Sequence, residues 1–333
     1  MPVVAGEEST APSPRRTRSR PRRTTRTRAA SRAWDRSEYL VARAIFGFLG
    51  MLPLTLALRV GEAVTWMVWL VAVPLRRVGI MNLTIAFPDK PQAERARILR
   101  ASMLNLGRMA AELAHLPRLS DGQLREMVQF EDEAWLREAL TWERPTGVLI
   151  LSGHFGNWEL LVYAQGRRGH PVTMVHRPMR NPLIDRWLNA VRARAGTRLV
   201  RKHHAAGEVL RALRQKQLLV LPFDQNSTRG LGVFVDFFGL PASTNAGLAR
   251  VALRADAPIV PAFIVRQGRS AQHVVHLLPI MEAERTGDMQ ADVLATTARL
   301  SAVFEEMVRR FPEQWLWVHK RWKTRPLGEL KIY

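Results

Sequence analysis

Five short apolar runs separated by helix-length tracts predict an α/β protein whose mainly parallel sheet is flanked by helices. The runs fall at 146–152, 171–176, 218–223, 257–265 and 273–279, and helical tracts fill 157–166, 182–195, 205–216 and 244–255. A chain of 333 residues with 47% hydrophobic composition can bury a full core under such a sheet. Cysteine is absent, which removes disulfides, thiolate nucleophiles and cysteine-ligated zinc or iron-sulfur clusters. The net charge of +21 selects anionic partners: phospholipid, a phosphorylated substrate, an acidic carrier protein or nucleic acid.

The charge is unevenly placed. Residues 1–36 hold ten arginines against Glu7, Glu8 and Asp35. With Ser, Thr, Pro and Arg dominating, this arm cannot repay its ordering entropy, so a disordered arm is expected over 1–36. Residues 38–80 then read as apolar, membrane-anchoring helices. One run extends from Ala44 to Leu58, broken by Pro53, and a second from Ala63 to Leu75, with Arg59-Val60-Gly61-Glu62 between them. Neither reaches the ~20 residues of a simple membrane span. A single crossing would bury Arg59 and Glu62, whereas two shorter helices in the interface would leave that charged stretch exposed as a turn. Arginines on both flanks, in the arm and at Arg76 and Arg77, favour the second arrangement.

From Asn82 the pattern changes. Residues 91–115 have the periodicity of a long amphipathic helix, and 118–140 read as helical and polar with a break near Phe130. The first three strands end at His154, at His176-Arg177-Pro178 and at Asp224-Gln225. Ligands of parallel sheets bind beyond the carboxyl ends of the strands, so these three polar clusters converge on one edge.

The residues Ser152-Gly153-His154-Phe155-Gly156-Asn157-Trp158-Glu159 set a histidine and a glutamate five positions apart at the first of those strand-to-helix turns. Five helical steps amount to roughly 140°, so the two side chains meet only if His154 lies in the turn and Glu159 on the following helix. A histidine near its ordinary pKa can take a proton from a hydroxyl at neutral pH, and a carboxylate on its other nitrogen fixes the tautomer. Backbone N–H groups from Gly153 to Asn157 are available to a developing oxyanion. No Walker loop, G-x-S-x-G elbow or H-E-x-x-H motif occurs, and the His203-His204 pair has no carboxylate at metal-ligand spacing. The pair reads as a solvated surface feature, and neither a metal nor a cofactor is expected.

The segment 152–159 resembles the H-x4-D/E signature of the glycerolipid acyltransferase superfamily, in the form found in the late acyltransferases of lipid A synthesis. Further matches follow in order: Asn82-Leu83 and Phe87-Pro88, Arg177-Pro178 with Asn181, Asp224-Gln225, the stretch 235–241 with Thr244, and 312–323. The similarity covers roughly residues 38 to 326, which sets the acyltransferase domain at 81–326 and a tail at 327–333. It implies a glycerolipid acyltransferase-like fold with His154 as general base and Glu159 as its orienting partner. The reaction it implies carries a fatty acyl chain from an acyl carrier protein thioester, or from acyl-coenzyme A, to a hydroxyl of a lipid A precursor. Arg177 would bind acceptor phosphate or carboxylate, or pair with Asp224 or Glu159; Asn181 and Gln225 would join substrate binding, and Asp224 would join it or support the active site. Phe237 and Phe238 would line an acyl channel, unless they are plain core. Trp315, Trp317 and Trp322 among basic residues would suit an anionic phospholipid surface, at the cytoplasmic face of the inner membrane, with some of them in the core.

Two other readings compete. Another glycolipid or phospholipid acceptor, of the phosphatidylinositol mannoside or lysophospholipid kind, uses the same motif form, and a non-catalytic membrane scaffold would keep the shape without the chemistry. A nucleic-acid partner is not expected, because no module signature accompanies the basic composition.

Overall fold

A computed structural model describes residues 28–141, 146–202 and 205–333. The expected arm lies outside the described residues up to position 27, as does the His203-His204 pair. Residues 28–36 already belong to helix α1 (Arg28–Met51). Arginine and alanine dominate its first turns, and as strong helix formers they carry the helix back into the stretch expected as arm.

Pro53 ends α1 and caps α2 (Leu54–Val71), and α3 (Val73–Ala86) follows after Ala72. The charged stretch Arg59–Glu62 is therefore not a turn, since it lies inside α2. Glu62 is neutralised by Arg108, whose NH2 lies 3.1 Å away, and by Arg269 at 2.6 Å, so the helix runs through it. The result is one helix of 18 residues with mean hydropathy 1.4, mostly unburied in the fold. It crosses α4 (Gln92–His115) where two glycines meet. A Cβ on Gly61 would lie 2.3 Å from the carbonyl oxygen of Gly107, so the backbones touch because neither residue has a side chain.

The polar tract after α4 contains α5 (Asp121–Met127), begun by a Ser120–Gln123 capping box, and α6 (Ala134–Leu140). The break near Phe130 is a strand, β1 (Val128–Glu131). The rest alternates: β2 (Val148–Ser152), α7 (Trp158–Arg167), β3 (Val172–His176), α8 (Pro182–Ala193), β4 (Arg198–Arg201), α9 (Ala205–Arg214) and β5 (Leu218–Pro222). Then come a hairpin of β6 (Gly232–Phe237) and β7 (Leu240–Asn245), α10 (Gly247–Ala255), β8 (Ile259–Arg266), β9 (His273–Leu277) and α11 (Met289–Arg310). All five expected strands are present. Those not anticipated are β1, β4 and the hairpin, and helix α11 was not anticipated either.

The main sheet has the order β1-β9-β8-β2-β5-β3-β4, parallel except where β8 meets β9. Central β2 is buried on both faces, as an interior parallel strand must be. Its alternation sorts the core into two layers. Leu149 and Leu151 pack with Leu219 and Phe263 against residues of α3, α4, α10 and α11, while Val148 and Ile150 pack with Val220 and Ile264 against α5, α6 and α7.

Candidate active site

The register of β2 and β5 builds the site. Ser152 pairs with Pro222, so two further steps along each parallel strand bring out His154 and Asp224 side by side. His154 Nδ1 lies 2.9 Å from Asp224 Oδ1, and the other carboxylate oxygen accepts from the indole N–H of Trp315 at 2.9 Å. Gly153 makes this approach possible, because a Cβ there would stand 2.6 Å from the Asp224 carboxyl carbon. The imidazole is held edge-on against Trp158, centroids 4.9 Å apart. Its Nε2 faces the exposed side chain of Gln225, whose amide nitrogen is 3.2 Å away.

These partners fix the protonation pattern. Burial works to raise the Asp224 carboxyl, but the His154 charge and hydrogen bond, helped by Trp315, hold it at about 2. Ionised Asp224 then accepts the Nδ1 proton, which leaves the lone pair on Nε2. For His154, burial works to depress the pKa, yet the charge and hydrogen bond of Asp224, with a further contribution from Glu159, raise it above its ordinary 6.5. His319 behaves oppositely: burial, with Arg321 and His154 adding, lowers it to about 4, and its neutral Nε2 accepts the Asn226 N–H at 3.0 Å.

Glu159 does not make the expected bond to His154. Both its oxygens are taken by Arg192 of α8, Nε at 2.8 Å and NH2 at 2.5 Å, in a bidentate pair between two helices. The helical rotation explains this: from the turn, Glu159 points toward α8, while the carboxylate on His154 comes from the neighbouring strand. A reading confined to one strand-turn-helix unit could not find Asp224 as the partner. The convergence of Asp224 on the same sheet edge was the only signal the sequence carried.

The turn itself is rigidly backed. Gly156 has φ +57 and its Cβ would collide with the Ile264 carbonyl, so only glycine fits. Its N–H donates to the Gln314 carbonyl at 2.8 Å, Leu316 N–H donates to the His154 carbonyl at 3.1 Å, and Phe155 bridges Trp315. Phe155 N–H turns back to the Gly153 carbonyl, so two of the amides expected for an oxyanion are already committed. Asn157 caps α7 by accepting from Leu160 N–H at 3.0 Å and donates at 2.6 Å to Glu112. Glu112 is fully buried and held by Arg266, which also donates to Asn105 at 2.6 Å.

The other expected site residues divide. Arg177 follows β3 on the same sheet edge, exposed and without an ion pair among the described residues. Asn181 is committed elsewhere. Its side-chain oxygen caps α8 and its nitrogen donates to Asp35 O at 2.8 Å and to Glu38 at 3.1 Å, tying α8 to α1. Phe237 and Phe238 lie in a buried aromatic cluster, Phe237 edge-on to Trp315 at 5.5 Å. Trp315, Trp317 and Trp322 are fully buried too, so the aromatic residues expected at a lipid surface are core. The basic residues around them mislead, since Arg321 is itself buried, donating to Thr244 Oγ1 at 2.6 Å and lying over the Phe237 ring.

Residues 25–324 are matched by a family model described as bacterial lipid A biosynthesis acyltransferase. The chain belongs to that acyltransferase family. It is 26% identical over 288 residues to the lipid A biosynthesis acyltransferase of Haemophilus influenzae, covering 85% of this chain and 89% of the relative. The lipid A biosynthesis palmitoleoyltransferase of Escherichia coli is 26% identical over 253 residues, 76% of this chain and 80% of the relative. The lauroyltransferase of the same organism is 26% identical over 257 residues, covering 76% and 81%.

Proposed function

We propose that the chain transfers a fatty acyl group from the thioester of acyl carrier protein to a hydroxyl of a lipid A precursor, at the cytoplasmic face of the inner membrane. The single observation that carries the reading is the His154–Asp224 bond beside an Nε2 lone pair on the open side of the sheet edge. Gln225 moves aside for the acceptor hydroxyl. The hydroxyl oxygen attacks the thioester carbonyl while its proton passes to Nε2, and Asp224 balances the imidazolium that forms. Collapse of the tetrahedral oxyanion breaks the carbon-sulfur bond, and the departing thiolate takes the proton from Nε2 as the carrier's thiol. Asp224 thus takes the orienting role that the sequence motif suggested for Glu159.

Arg177, exposed on the same edge, suits acceptor phosphate or carboxylate, and Arg201 and Lys202 at the end of β4 extend a basic surface for an acidic carrier. Membrane seating is supported by the exposed apolar residues Ile45, Phe48 and Met51 of α1 and Leu56, Val64, Met67 and Val71 of α2. The deciding experiment supplies purified protein with acyl carrier protein charged with a fatty acid and a lipid A precursor, followed by mass spectrometry. One added acyl chain, lost in His154→Ala, is the expected result. Acylation of a phospholipid with the lipid A precursor untouched would overturn the acceptor and leave the reaction standing.

A further inference from the structure

The crossing of α2 and α4 at Gly61 and Gly107 opens a pocket on one side that no step above uses. It encloses about 840 Å³ including its mouth, and Arg97, Arg100, Arg108, Arg266, Arg269 and Glu62 line it. Neither His154, Asp224 nor Gln225 is among the lining residues. On α4 the arginines at 97, 100 and 108 recur at helical spacing, so they form one stripe. The acids do not cancel them. Glu62 is engaged by Arg108 and Arg269, and Arg266 is paired with Glu112. Arg97 and Arg100 are exposed and make no hydrogen bond or ion pair among the described residues, with Glu313 the remaining acid at the rim.

Position supplies the ligand class. Of α2, Glu62 lines this pocket, and Thr55, Leu58 and Arg59 line a neighbouring cleft that shares Glu62 and Arg269 with it. Of the exposed apolar residues of the same helix, Leu56, Val64, Met67 and Val71 lie roughly 150° around it, while exposed Trp66 and Leu70 lie nearer the pocket side. With the apolar stripe in the acyl boundary, the pocket mouth stands at headgroup level.

We propose that the pocket of Arg97, Arg100, Arg108 and Arg269 binds the phosphate of an anionic lipid headgroup, separately from the His154 site. Guanidinium groups present paired donors that match phosphate oxygens, and Arg97 and Arg100 make no ion pair among the described residues, the nearby Glu94 being bonded to Lys90. The inference rests on the membrane-lying reading of α2 and is independent of acyl transfer, since its readout is binding.

The test is flotation of the full chain with vesicles of phosphatidylcholine alone and of phosphatidylcholine with phosphatidic acid. Wild type gains affinity when phosphatidic acid is present, and Arg97→Ala with Arg100→Ala lowers binding to those vesicles by roughly thirtyfold while leaving binding to phosphatidylcholine unchanged. Arg211→Ala with Arg214→Ala on α9 removes the same charge elsewhere and keeps the gain. Equal loss from both pairs would assign the effect to diffuse charge and overturn the pocket, as would retention of the gain in the α4 pair or failure to float at all. Inorganic phosphate separates the sources. If millimolar phosphate binds the free protein and only the α4 pair abolishes it, with no gain on phosphatidic acid vesicles, the ligand is soluble phosphate and the lipid assignment falls.

Discussion

His154 Nδ1 and Asp224 Oδ1 are 2.9 Å apart although 70 positions separate them in the chain. Two parallel strands in register, continued two residues past their last ladder pair, put an imidazole and a carboxylate together without any sequence motif spanning both. The first expectation follows from the base that this pair creates. His154→Ala should lower acyl transfer by ~10² or more, with the circular dichroism spectrum unchanged. Turnover within a few-fold of wild type would remove His154 from the chemistry.

Asp224→Asn tests the source of the raised imidazole pKa. Burial pulls His154 down, and the Asp224 charge and hydrogen bond more than offset it, so the basic form of His154 appears only above a pKa higher than 6.5. Activity should therefore rise with pH along an acid limb centred above 6.5. Removing the carboxylate charge leaves burial dominant, so the limb should move to lower pH while the plateau rate drops. A pH-rate profile whose limb stays in place would show that Asp224 does not set the titration.

Glu159→Gln should act on stability. Its ion pair with Arg192 is largely buried, with side-chain exposures of 6% and 12%, and breaking one partner leaves a guanidinium without its counter-ion. A loss of about 3 kcal/mol in denaturant unfolding is expected. The acid limb should shift less than in Asp224→Asn, because Glu159 contributes least among the causes acting on His154. Adding Arg192→Gln should recover part of the stability, and a double variant no better than the single one would contradict the pairing.

Two helix glycines should respond with opposite signs to alanine. At Gly61 the new Cβ meets backbone of Gly107 at 2.3 Å, which forces α2 away from α4 and should lower the melting temperature by several degrees. At Gly47, exposed in α1 with open space around it, the same change should raise stability by up to ~1 kcal/mol through helix propensity. Thermal scans of the two variants in one detergent decide this.

Three of the strands that sequence reveals are buried on both faces. β2, β3 and β8 are continuous apolar runs because helices cover each side, so their composition announces them. β1 and β4 are edge strands of four residues, Val-Gln-Phe-Glu and Arg-Leu-Val-Arg, with too few apolar positions to stand out from helical surroundings. The histidine at the end of β2 was legible from its turn, and so was the convergence of Asp224 and Arg177 on its edge. The identity of the acid touching His154 was not, since it depends on which strand lies beside β2. The tryptophans after 314 misled for a related reason: next to Lys320, Arg321 and Lys323 they look superficial, but Arg321 points inward and donates to Ser243 and Thr244 inside the fold.

The seam between the turn at 154–156 and the stretch 314–316 has a consequence for biosynthesis. Domains assemble from the amino end as the ribosome elongates the chain, so α1 to α10 are complete long before Gln314, Trp315 and Leu316 have been synthesised. Until those residues leave the exit tunnel, the loop bearing His154 has no wall behind it and Asp224 has no indole to hold it. The turn bearing His154 and the Asp224 carboxylate therefore gain their final supports only once residues 314–316 have been added.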